Sequence, residues 1–330
     1  MRKQSILVLV MVVVAVTGVS QALVMDFVTV GNPGNANDDT GYGGVSDVYQ
    51  IGKYEVTAGQ YTEFLNAVAA TDTYGLYNTA MADISSSGYG CNIQRMVYGV
   101  IGGNEVYYKY SVAADWANRP VNYVSWYDAL RFTNWLHNGQ PTGGQSSATT
   151  EDGAYDMSLG DSVVRKAGAT VWLTSEDEWY KAAYHKNDGV TDNYFDYPTS
   201  SDSVPSNELV EPTDPGNNAT FNDHGKYTIG SPYYRTEVGA HENSDSPYGT
   251  FDMGGNVFEW NEALISDPYS RGTRGGSFTI VNVAFLKSDS WIYLSPEYED
   301  YWVGFRVASV PEPSTILLLG LGAVMVRRKR

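Results

Sequence analysis

The sequence predicts an α+β domain in which irregular structure outweighs regular elements. Three observations carry this: three capped amphipathic helices set far apart, strand-like runs that are short and scattered, and long stretches rich in Gly, Ser, Thr and Asp between them. The first helix starts at Thr57, where Thr57-x-x-Gln60 spells a capping box, and it sets Tyr61, Phe64, Leu65 and Val68 on one face. The second starts at Ser125 with Asp128 in its first turn, aligning Trp126, Ala129, Leu130, Thr133 and Leu136. The third starts near Thr174 or Ser175. It places Glu176, Asp177 and Glu178 at the positive end of the helix dipole and turns Trp179, Ala182 and Ala183 inward. At this spacing the tryptophans are read as core rather than as pocket lining. Strand signals fall at 26–30, 49–56, 97–100, 106–110 and 169–173, and in the pair 275–283 and 303–307. Residues 31–44, 139–153 and 199–223 read as surface loops. No repeat of fixed period appears, and no boundary divides residues 24–309.

The chain of 330 residues has 42% hydrophobic and 18% charged residues, the composition of a globular protein and not of a disordered or fibrous one. Lys+Arg 21 against Asp+Glu 38 gives a net charge of −17, which repels a phosphate backbone and excludes nucleic acid as a partner. A single cysteine, Cys91, rules out internal disulfides, CxxC redox pairs and multi-thiolate metal sites, and it is read as an isolated thiol.

Residues 1–22 combine Arg2 and Lys3, an apolar run over 6–16 and the small-x-small end Ser20-Gln21-Ala22, the pattern of a secretory signal peptide. At the other end, residues 310–330 run through Pro311-Glu312-Pro313, a short apolar stretch over 315–326, and Arg327, Arg328, Lys329 and Arg330. These parts in this order resemble the PEP-CTERM sorting signal of Gram-negative bacteria. The resemblance implies transient anchoring in the inner membrane, processing by an exosortase-type peptidase, and delivery to the envelope or extracellular matrix. A twelve-residue apolar stretch is short for a bilayer span, and the basic cluster holds it on the cytoplasmic side. Without both ends the chain keeps 15 basic and 37 acidic residues, net −22. Such an exported acidic surface suits calcium, a hard cation that takes oxygen ligands.

Between the ends, five groups of motifs occur in order. They are Ile51-Gly52-Lys53-Tyr54-Glu55-Val56-Thr57; Arg119-Pro120-Val121-Asn122-Tyr123-Val124-Ser125-Trp126; Leu173-Thr174-Ser175-Glu176-Asp177-Glu178-Trp179; Tyr248-Gly249-Thr250-Phe251-Asp252-Met253-Gly254-Gly255-Asn256-Val257-Phe258-Glu259-Trp260; and Arg274-Gly275-Gly276-Ser277-Phe278 with Gly304-Phe305-Arg306-Val307-Ala308. Together they resemble the formylglycine-generating enzyme, or sulfatase-modifying factor, family over nearly all of residues 24–309. The resemblance implies that family's fold, with its C-type-lectin-like core. In active members two cysteines after the Gly-Gly-Ser segment bind copper. The matching positions here are Ile280 and Phe285, neither able to ligate a metal, so no copper is expected. Ser277 keeps the serine of that site, while Phe258 replaces the usual tryptophan. The resemblance also implies a calcium site using side-chain oxygens of Asp252 and Glu259 with the carbonyls of Gly255 and Val257. A second would begin at Asn218 and Ala219, but Gly230-Ser231-Pro232 falls where its aspartate belongs.

His137, His185, His224 and His241 show no metal-binding spacing, and His137, His224 and His241 read as surface residues. No nucleophile elbow or P-loop is present. The 26 tyrosines suit either core packing or a ligand-binding face. The expected function is an exported, catalytically inactive binding or structural module stabilised by calcium, facing an extracellular polysaccharide or a surface protein. The alternative is an oxidoreductase of the same family using a metal site of another kind.

Overall fold

In the computed structural model, residues 22–101, 105–210, 213–264 and 269–311 are described. Most of the signal peptide and the tail from 312 onward lie outside them. Each of the three expected helices begins at its capping residue. Helix α1 (Ala58–Val68) starts after Thr57, whose hydroxyl accepts from Gln60 N at 3.2 Å while Gln60 Oε1 accepts from Thr57 N at 2.9 Å. A four-residue helix, α2 (Ala114–Ala117), precedes α3 (Trp126–His137), which Ser125 and Asp128 cap reciprocally. For α4 (Glu176–Tyr184), Ser175 is the cap and Glu178 its partner. Each reciprocal cap satisfies two backbone donors that the first turn would otherwise leave open.

The strands are β1 (Phe27–Val30), β2 (Tyr49–Gly52), β3 (Ile93–Ile101), β4 (Glu105–Val112), β5 (Val171–Leu173), β6 (Asn222–Asp223), β7 (Lys226–Tyr227), β8 (Phe258–Leu264), β9 (Arg271–Arg274), β10 (Ile292–Leu294), β11 (Val303–Phe305) and β12 (Val307–Ser309). They form two four-stranded sheets, β1-β2-β12-β5 and β10-β9-β8-β11, with β3–β4 and β6–β7 as separate pairs. The first sheet is antiparallel throughout, whereas β11 runs parallel to β8. The β3–β4 ribbon holds its base against α1 and leaves Met96, Val97, Tyr98 and Val100 exposed near its end.

Three strand expectations are corrected. Residues 275–283 form no strand; Gly275 and Gly276 take φ of 93° and 77° in a tight turn, and the real strand, β9, comes before them. The run 303–307 is cut at Arg306 into β11 and β12, which belong to different sheets. An arginine that must reach into the core there interrupts the alternation of a single strand. Residues 258–264, read only as the end of an acidic turn, form the central strand β8.

The main core lies where α1 and α3 cover the sheets. Phe132 touches Tyr61, Phe64, Trp135 and Phe305, with ring centroids 6.1, 5.3, 5.8 and 5.3 Å away. Tyr61, Tyr155, Tyr180 and Tyr184 are fully buried, so much of the tyrosine content is packing. Because Phe132 joins both helices to β11, Phe132→Ala is expected to lower unfolding free energy by about 3–5 kcal/mol, measured by urea denaturation.

Candidate functional site

The turn from Asp252 to Glu259 is made of backbone that few residues tolerate. Asp252, Gly255 and Asn256 have φ of 58°, 91° and 52°. A Cβ at Gly255 would lie 2.2 Å from the carbonyl oxygen of Thr220, so only glycine fits. Asn256 ties the turn to its surroundings: Oδ1 accepts from Thr236 N at 3.0 Å, and Nδ2 donates to Glu55 Oε2 at 3.3 Å.

At the end of the turn Glu259 is fully buried. Arg306 grips it in a fork, Nε to Oε2 at 2.5 Å and Nη2 to Oε1 at 2.6 Å, and Trp179 Nε1 donates to Oε2 at 2.7 Å. Two further guanidinium hydrogens go to the carbonyls of Gly52 and Phe251, both at 3.0 Å. Burial alone would lower the Arg306 pKa, but the charge and hydrogen bonds of Glu259 raise it above its ordinary value. Two further carboxylates share this environment. Burial, then the charges of Asp252 and Glu259, push Glu55 well up. Asp252 is pushed up to about 6, chiefly by burial, although its Oδ2 accepts from Gly239 N at 2.6 Å.

Three carboxylates around one guanidinium leave two negative charges uncompensated when all are ionised, a deficit that one divalent cation would cancel. A carboxylate has about four lone-pair sites, and the three hydrogen bonds to Glu259 leave one on Oε1. Asp252 Oδ1 accepts no hydrogen bond from the described residues. Among the described residues no three His, Cys, Asp or Glu side chains are grouped to hold a metal. A cation here would therefore lean on backbone carbonyls. The expected calcium would draw on the Asp252 and Glu259 side chains and the carbonyls of Gly255 and Val257; of these, Asp252 Oδ1 and one lone pair of Glu259 Oε1 take no hydrogen bond from the described residues.

The Asn218 and Ala219 position does not fit a second calcium. Its carboxylate is Asp214, four residues before Asn218 and absent from the sequence expectation. Oδ1 accepts from Gly216 N at 2.9 Å and from Asn218 Nδ2, while Oδ2 accepts from Asn243 N at 3.0 Å and Ser244 Oγ at 2.8 Å. Those four donors occupy all four lone pairs. They outweigh burial and hold Asp214 below the usual carboxylate range. The Ala219 carbonyl accepts from Thr228 Oγ1 at 3.3 Å.

The expectation of a surface His241 is corrected. It is buried, its Nε2 lies 3.0 Å from Thr220 Oγ1, and its Nδ1 has no partner among the described residues. Burial lowers its pKa to about 4. The loop assignment alone suggested exposure, and no periodic signal marks a buried residue in irregular backbone. His185 is likewise buried, whereas His224 is exposed.

Ile280 and Phe285 meet at Gly276. A Cβ there would lie 2.8 Å from Ile280 Cδ1, 2.8 Å from Leu286 Cδ2 and 3.5 Å from the Phe285 carbonyl oxygen. Phe258 packs its ring 6.1 Å from Phe285 and 5.2 Å from Trp302. Ser277 is buried with Oγ 3.0 Å from Thr279 Oγ1. The two positions that the resemblance matches to the copper-binding cysteines thus carry aliphatic and aromatic side chains, neither of which is a copper ligand. Cys91 sits fully buried in the main core, where burial pushes its thiol up.

Fold and motifs together define a loop-rich two-sheet α+β domain in which Ile280 and Phe285, the positions that the resemblance matches to the copper-binding cysteines, are apolar. The sequence matches the family model of the sulfatase-modifying factor enzyme 1-like domain over residues 40–310, and the chain belongs to that family. The PEP-CTERM protein-sorting motif matches residues 309–330, which implies export, sorting to the envelope and processing by exosortase-type machinery. Among the described residues no helix is long and apolar enough to cross a membrane. No curated protein matches the sequence. Similar solved structures include Treponema denticola variable protein 1, 17% identical over 86% of this chain and 95% of that chain, with a TM-score of 0.50. Others are CarF (21%, 87% and 99%, TM-score 0.49) and PvdO from Pseudomonas aeruginosa (17%, 88% and 93%, TM-score 0.43). At 17% identity the likeness to the Treponema denticola protein is one of fold.

Two outcomes follow from the site's electrostatics. Arg306→Ala strands buried carboxylates and is expected to cost about 3–5 kcal/mol in denaturant unfolding, or to prevent folding. His241 binds its proton near pH 4 when folded and near 6.5 when unfolded. Its contribution is therefore complete above pH 6.5 and is lost as pH falls toward 4, about 3 kcal/mol in all. Unfolding of His241→Gln measured across that range should lack this component, whereas equal pH slopes for the two proteins would rule it out.

Proposed function

We propose that this exported protein is a non-catalytic binding or structural module of a Gram-negative envelope or matrix, with calcium in the Asp252 to Glu259 turn. The observation that carries the reading is the pairing of an apolar thiolate position with an intact, charge-deficient acidic turn. The positions matched to the family's thiolates carry no ligand, while the acidic turn is held by the contacts of Gly239, Thr236, Glu55 and Arg306. A rigid base carrying long loops suits recognition of an extracellular polysaccharide or a surface protein. The tail supplies transient inner-membrane anchoring before processing.

Calcium supplies positive charge and oxygen coordination when bound, and the protein's part is to hold its oxygens in place. Asp252 must be ionised to contribute, so binding competes with protonation near pH 6. At about pH 7.5 calcium is expected to raise the melting temperature by several degrees, and the rise should fade below pH 6. Asp252→Asn should melt higher than wild type without calcium, because a buried charge is gone, and should show no calcium response. A melt insensitive to calcium at neutral pH would remove the metal from this reading. Copper or iron in the purified protein, with oxygen uptake on a cysteine-containing peptide, would replace the reading with an oxidoreductase.

A further inference from the structure

A cavity of about 610 Å³ opens between Arg119 and the segment 229–242. Its wall is hung on the acidic turn, since Gly239 N donates to Asp252 Oδ2 at 2.6 Å and Thr236 N to Asn256 Oδ1 at 3.0 Å. Arg119 is only 8% exposed. Nε donates to the Asp115 carbonyl at 3.1 Å and Nη1 to the Arg235 carbonyl at 2.5 Å, while the guanidinium lies 3.9 Å from the centre of the Tyr233 ring. Tyr233 is itself fixed, its hydroxyl donating to Asp115 Oδ2 at 2.8 Å and its ring resting 5.1 Å from Trp116. Nη2 therefore points from an immobilised group, yet it makes no hydrogen bond with the described residues. Its nearest acidic neighbour is Glu237 Oε1 at 3.9 Å, beyond hydrogen-bond reach, on a side chain that is half exposed.

A buried guanidinium with unused N–H donors calls for acceptors, and the carboxylates beside it call for donors. Glu237 and Glu242 both line the cavity, which opposes an anionic ligand, as does the net charge of −17. Hydroxyl groups give and accept at once, and a pair on adjacent carbons spans a donor and an acceptor a few ångströms apart. Leu209, Ile229 and Val238 provide apolar wall for carbon-bound hydrogens. We propose that this cavity binds a hexose unit of a neutral glycan, with neighbouring hydroxyls bridging Arg119 Nη2 and the Glu237 carboxylate. The inference rests on the binding-module reading and names its ligand class.

The test is a glycan array carrying neutral, uronate-containing and sulfated oligosaccharides, probed with the full chain and with Glu237→Ala and Glu242→Ala. The expected result is binding to neutral glycans that Glu237→Ala weakens about tenfold or more, with melting temperatures unchanged. Arg119→Lys, which keeps the charge and loses the fork, should weaken binding to the same glycans. The inference is overturned if the wild-type chain binds no neutral glycan or prefers the acidic ones. Neutral-glycan binding indifferent to Glu237 and Arg119 would also overturn it, while leaving the binding-module reading in place. Loss of that reading would show separately, as redox metal with turnover in the purified protein.

Discussion

The ion pair of Arg306 with Glu259 is the interaction on which the rest of the structure depends. Arg306 lies between β11 and β12, at the point where the chain leaves one four-stranded sheet and enters the other. Its side chain reaches Glu259 in β8, the Gly52 carbonyl at the end of β2, and the Phe251 carbonyl just before the acidic turn. Through Glu259 it also holds the indole of Trp179 on α4. Both charges are removed from water, at a desolvation cost of several kcal/mol each that only near-ideal geometry recovers. The pair thus acts less as a net source of stability than as a pin. Other ways of stacking the sheets would leave a carboxylate and a guanidinium buried apart.

The pin fixes the two ends of the neighbouring turn, the Phe251 carbonyl before it and Glu259 at its close. Three requirements for left-handed backbone, at Asp252, Gly255 and Asn256, are met within five residues of chain. Each is held from outside: Asp252 by Gly239, Gly255 by its close approach to Thr220, and Asn256 by Thr236 and Glu55. The segment that walls the Arg119 cavity hangs from two of these same contacts. Rigidity at the turn is passed to the cavity wall through hydrogen bonds and not through regular secondary structure.

Two acidic positions in one domain show opposite ways of burying a carboxylate. Asp214 has every lone pair filled by a neutral donor, so its negative charge is stabilised locally and its pKa is low. Asp252 has one such donor and two acidic neighbours, so burial raises its pKa. The first needs nothing further, and the second is completed by a proton or a cation.

Local chemistry by itself determined where the three capped helices begin. Capping boxes at Thr57, Ser125 and Ser175 act over three residues, and the helical stripes of Phe64, Phe132 and Trp179 repeat within one element, so both are written in adjacent sequence. That Ile280 and Phe285 offer no metal ligand is likewise a matter of residue type. Tertiary structure alone decided which strands pair, because β8 reads as an acidic turn until β9 and β11 lie on either side of it. It also decided that Asp214 and not a later aspartate meets Asn218, that His241 is buried, and that Arg119 faces a cavity. Strand pairing joins Ile51 to Ala308, and the cavity's frame joins Tyr233 to Asp115; no local pattern encodes contacts between residues so far apart in the chain.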